Sequence, residues 1–192
     1  MDIVRRLGSI LLKPKEEWVK IKAEQTTFAK LFVTYAMILA VIPPIFEFLR
    51  RVLIDRIPMQ GHWPVGRSLG LALFSFSINL AQVLLLAVII DGLARSFSST
   101  KNLTNALKLA AYSMTPVWVI GVFNIFSGFW VPGVVASLYG FFILYLGFDT
   151  PMMETPKDRV LGYMVLSGVA AAVLSIVGGG AKMIFAVRYG RL

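Results

Sequence analysis

The sequence predicts an all-α polytopic membrane bundle: five transmembrane helices preceded by an N-terminal amphipathic interfacial segment. Three observations carry that prediction. Hydrophobic residues make up 57% of the chain and charged residues 15%, against about half and about a quarter in a soluble domain. The apolar residues collect in runs approaching the roughly 20 that a bilayer-spanning helix needs. The Lys and Arg behind the formal net charge of +9 lie between those runs. Basic residues so placed suit anionic headgroups, at about 1 kcal/mol each, and not nucleic acid. The chain has no cysteine, which excludes disulfides, thiol catalysis and Cys-ligated zinc.

Residues 1–28 read as an interfacial arm. Ile3, Leu7, Ile10 and Leu11 recur at helical spacing, with Arg5, Arg6 and Lys13 off that stripe. Pro14 resets the chain and suits the first turn of a second helix. Trp18 and Ile21 share a face of that helix, while Lys15, Lys20 and Lys22 supply charge. A basic amphipathic segment with a Trp belongs among headgroups, so Leu7, Trp18 and Ile21 are expected to anchor it there. The arm has no uninterrupted apolar core followed by a small-residue cleavage site, so the first span is expected to be the uncleaved targeting signal.

Residues 29–185 form the five-helix domain, and 186–192 a basic tail. The first span, 29–49, carries Pro43-Pro44, which predicts a kink whose freed carbonyls need partners from neighbouring helices. A polar loop with His62 and Trp63 follows. The second span is 69–93. Residues 99–111 read as a short interfacial amphipathic helix leading to the third span at 115–131, with Pro116 in its first turn. Pro132-Gly133 reads as a tight turn into the fourth span, 134–148. These two spans are short, so a full crossing and a re-entrant hairpin both remain open. The fifth span is 160–181. With the N-terminus inside, twelve Lys and Arg fall on the inner side and seven on the outer, which favours a cytoplasmic N-terminus and an outer C-terminus.

The Lys13-to-Ile21 opening with its Lys-Pro-Lys-Glu-Glu-Trp run, the Ala110-to-Pro116 segment and the Leu138-to-Gly147 segment together resemble the YIP1 domain family in order and spacing. Pro14, Trp18, Glu24, Tyr112, Pro116, Tyr145 and Gly147 carry the match. The resemblance implies five helices, a cytosolic N-terminus, and, for eukaryotic relatives, an association with Rab-type GTPases and vesicle traffic. This chain lacks their long cytosolic extension, which implies a prokaryotic-type member in a plasma (inner) membrane.

Among candidate residues, Glu47 and Asp91 are the acids nearest the hydrophobic core. Arg50 and Arg51 lie three and four positions after Glu47, and Arg95 four after Asp91, the spacing of same-face pairs. Structural ion pairs are therefore the favoured reading over a proton or ion role. Asn79 and Gln82 share a face in the middle of the second span, and Asn124 lies in the third. Interhelical hydrogen bonding at about 0.6–2 kcal/mol per contact is favoured for all three over a ligand or permeation path. Ser167, Ala171, Ser175 and Gly179 recur every four residues, which suits bundle packing or a homo-oligomer contact. His62 has no partners for a metal site or triad, and no phosphate loop, HExxH pair or nucleophile elbow occurs. The expected function is a non-enzymatic membrane scaffold without cofactor or metal. Its expected partners are the bilayer, anionic lipids and proteins at the cytoplasmic face. A small transporter or channel is the alternative.

Overall fold

The computed structural model describes residues 3–54, 64–126, 131–150 and 152–190. His62 and Trp63 lie outside the described residues. Two short helices, α1 (Ile3–Leu12) and α2 (Pro14–Ala23), precede five long apolar ones. The long helices are α3 (Phe28–Ile54), α4 (Val65–Phe97), α5 (Leu103–Ile125), α6 (Val131–Asp149) and α7 (Lys157–Tyr189). Every regular element among the described residues is helical. The spans alternate in direction. The side where α3 and α5 begin is called here the N-terminal side, and the side where they end the C-terminal side.

Helix α3 is broken, as its prolines require. It opens with Thr27 as N-cap, the hydroxyl accepting from the Lys30 N–H at 3.3 Å. It widens to π-helix over Phe32–Ala36, turns at Val41 and restarts as Ile42–Leu49 with the prolines in the new first turn. Pro44 cannot donate to the Ala40 carbonyl. The Asn79 side-chain amide of α4 does so instead, at 3.1 Å. The Pro43 ring packs against Gly121 of α5, where a Cβ would lie 2.5 Å from the ring. Glycine is required there by close approach.

The expected interfacial helix at 99–111 and third span from 115 are instead one continuous α-helix, Leu103–Ile120, which tightens to a 3₁₀ turn through Ile125. Asn102 caps its start, accepting from the Asn105 N–H at 3.0 Å. Pro116 is therefore inside the helix and not in its first turn. The run Ala106–Ser113 is buried throughout; apolar contact on all sides overrides the weak amphipathic pattern. Pro132 and Gly133 likewise fall in the first turn of α6, and not in a turn before it.

Helix α5 is the central post and α7 the peripheral one: 67% of the most apolar window of α5 is buried within the protein, against 22% for α7. On the N-terminal side the α4–α5 and α6–α7 links are tied together. The Thr100 N–H donates to Met153 O, and the Asn105 side chain to Met152 O, both at 2.9 Å. Ser98 and Glu154 take positive φ at these corners, 52° and 54°.

The arm does not lie free. Helices α1 and α2 pack on α5 and α6, and Ile10, Trp18 and Ile21 join the core. Trp18 and Ile21, expected among headgroups, are thus turned into protein, and Leu7 is partly buried against the same core. Lys15, Lys20 and Lys22 remain exposed.

Candidate functional site

Two polar constellations are built into the bundle. The first fastens the arm on the N-terminal side. The Trp18 indole, 0% exposed, donates from Nε1 to Ile143 O of α6 at 2.9 Å. A backbone carbonyl inside a helix is already an acceptor, so this bond needs the indole pressed against α6. Gly147 permits it: a Cβ there would stand 2.7 Å from the Trp18 ring and 2.5 Å from Leu109. Tyr112 meets the indole edge-on at 5.8 Å, and Tyr35 lies 4.6 Å from Tyr112. Tyr35 in turn shares a 2.7 Å hydrogen bond with Thr115.

Above this aromatic layer sits a charged one. Arg6 donates to Glu17 at 2.6 Å and to Glu24, and Lys20 reaches Glu17 at 3.2 Å. Lys108 of α5 is only 4% exposed, and its ammonium donates to the Ile21 and Glu24 carbonyls at 2.9 Å each. Those carbonyls belong to the end of α2, where a helix lacks internal donors. A cation there also meets the negative end of the helix dipole. Tyr139 closes the first helix in a similar way, its hydroxyl donating to Leu11 O at 2.6 Å.

The second constellation occupies the interior toward the C-terminal side. Glu47 accepts from Ser75 at 3.2 Å and from Asn124 at 3.5 Å, and pairs with Arg51 at 3.5 Å. Asn79 donates to Ala40 O and accepts from the Lys182 ammonium at 2.7 Å. Residues from α3, α4, α5 and α7 thus meet in one column. Gln82, three residues from Asn79, turns instead to α7 and donates to Leu174 O at 2.7 Å, over Gly178.

Asp91 departs from its expected pairing. Its nearest cation is Lys101 at 3.8 Å, while Arg95 is exposed. The 3₁₀ tightening after Leu93 breaks the α-helical register that would align Asp91 with Arg95. Glu47 and Asp91 sit toward opposite ends of the bundle, as their positions in the sequence imply. Of the remaining motif residues, Pro14 opens α2, Glu24 binds Arg6, Tyr112 and Gly147 receive Trp18, and Tyr145 is 37% exposed.

Lys108, Arg6 and Lys182 were not singled out by the sequence reading. Lys108 had a visible signal: a lone cation in the otherwise small and apolar run Ala106–Ala111. Lys182 follows the expected fifth span directly, a position that suits an outer flank. Its side chain instead leans back toward the start of α7, as helical side chains do, and so reaches inward to Asn79. Arg6 gave no signal, because its partners come from a second helix.

Five apolar spans, with a docked amphipathic arm and polar side chains bonded from helix to helix, define a polytopic integral membrane protein. The chain belongs to the Yip1 domain family, whose model matches residues 8–179. Among curated proteins it is similar to the inner membrane protein YohC of Escherichia coli K12, 24% identical over 186 residues that cover 88% of this chain and 94% of that protein. YohC of Escherichia coli O6:H1 matches to the same extent. No solved structure matches.

Proposed function

We propose that this protein is a non-enzymatic scaffold of the prokaryotic plasma membrane, with a cytoplasmic N-terminus, and that its docked arm is the surface on which lipid and protein partners assemble. The carrying observation is the arm's two-sidedness. Its inner face is keyed into α5 and α6 by Trp18, Lys108 and Tyr139. Its outer face leaves Val4, Leu12 and Val19 at 79%, 83% and 61% exposure, beside exposed Arg5, Lys13, Lys15 and Lys22. Apolar residues flanked by cations suit an anionic leaflet. The Lys and Arg distribution supports the orientation, and the inner-membrane relatives support the compartment.

The same face, presented on a rigid bundle, suits recruitment of a protein partner, and the exposed α7 row of Ser175 and Gly179 suits a homo-oligomer. The transport alternative draws less support. The amides of Asn79, Gln82 and Asn124 each donate to a protein acceptor, and Gln82 points away from the other two.

The test uses the full chain in nanodiscs of phosphatidylcholine with or without phosphatidylglycerol. Exchanging Lys13, Lys15 and Lys22 for Gln is expected to abolish enrichment of the anionic lipid around the arm. Affinity capture from mild detergent, compared between this variant and the native chain, reports the protein partners. Equal lipid enrichment and equal capture by both chains would refute the assignment of the arm.

A further inference from the structure

The column between Lys182 and Glu47 holds charge where hydrocarbon does not tolerate it. Asn79 is the central residue of the stretch Val65–Leu93, about 21 Å from either end at 1.5 Å per residue. The Lys182 ammonium bonded to it is therefore near mid-depth. An intramembrane charge of this kind needs a partner or water. Among the described residues Lys182 has one hydrogen-bond acceptor, Asn79 Oδ1, for its three donors. No direct ion pair joins Lys182 to Glu47 among the described residues. Among the described residues, Glu47 is held by contacts of 3.2–3.5 Å. Two donors of a buried ammonium that lack a protein acceptor are the kind that ordered water satisfies.

We propose that Lys182, Asn79, Ser75, Glu47 and Asn124 line a blind water-filled inlet, entered from the C-terminal side and ending at the break in α3. The open end is marked by Glu47, whose side chain is 20% exposed. The closed end is marked by the Asn79–Ala40 hydrogen bond. Beyond it Val83, Leu86 and Ala87 are 0–1% exposed and seal the bundle toward the N-terminal side. The occupant is water, held between an ammonium, a carboxylate, a hydroxyl and two amides. The inlet delivers solvent to the helix break without a path through the membrane, and it is independent of the scaffold reading.

The absence of cysteine makes the test direct. Single-cysteine full-length chains are placed in membrane vesicles of either sidedness and exposed to silver ion, a water-sized charged probe. The blocked fraction is then read by maleimide labelling after denaturation. Ser75→Cys and Asn124→Cys are expected to be blocked from the C-terminal side only, more than about tenfold faster than lipid-facing Ser77→Cys or sealed Val83→Cys, since hydrocarbon excludes the ion. Adding Lys182→Met is expected to slow blocking at Ser75→Cys at least severalfold. Ser75→Cys and Asn124→Cys as slow as the controls would mean a dry cluster. Blocking from both sides would mean a through-path, and indifference to Lys182→Met would detach the lysine from the water. Each of these results overturns the proposal. Asn124→Cys is read alone if Ser75→Cys fails to assemble.

Discussion

On the N-terminal side, Arg6 and Glu17 of the arm and Lys108 beneath it are locked by contacts of 2.6–3.2 Å. On the C-terminal side, among the described residues, Glu47 is held at 3.2–3.5 Å by residues of three helices, and the Lys182 ammonium has a single acceptor, the Asn79 amide oxygen. Both regions bury ions in apolar surroundings. In the first the ions finish helix ends and fix a short segment to the bundle. In the second they surround a proline break that regular hydrogen bonding cannot close. The contrast separates charge used as a fastener from charge that keeps a polar interior.

The sharpest way to break this comparison is Trp18→Ala. It empties a fully buried site and removes the bond to Ile143 O, so a loss of about 3–5 kcal/mol is expected, read by denaturant unfolding in mild detergent. The arm should also become cleavable by protease. Next, Lys108→Met orphans two carbonyls at the end of α2 and should cost about 2–3 kcal/mol. Glu47→Gln, removing only long contacts, should cost under about 1 kcal/mol. Equal losses for these two would erase the distinction between the regions. A further pair of changes divides two glycines. A Cβ at Gly140 meets the Ser113 carbonyl at 2.6 Å, whereas nothing lies within 4 Å of one at Gly179. Gly140→Ala should destabilise by about 1–3 kcal/mol. Gly179→Ala should be neutral or stabilise by up to about 1 kcal/mol.

The five spans were legible because lipid leaves a helix no choice of composition, and the partner for the carbonyl freed at Pro44 was anticipated as a need. Which residue supplied it was not, since Asn79 reaches Ala40 across 39 positions. Trp18 was legible as an anchor but not as to what it enters. An aromatic residue on an amphipathic helix fits headgroups and a protein groove equally well, and the groove depends on Gly147, 129 positions away. The start of the third span was misread for a related reason. Lys108 gives the run 99–111 its polar edge, and only the carbonyls of α2 turn it into an interior residue. Local pattern gives burial; long-range pairing decides what does the burying.

Amide hydrogen exchange across Glu16–Ala23 in nanodiscs tests the docked arm most directly. If α2 is part of the bundle, its amides exchange as slowly as those of α5, and Trp18→Ala releases them selectively. Fast exchange in the native chain, unchanged by Trp18→Ala, would show an arm lying free on the lipid surface and would contradict the account.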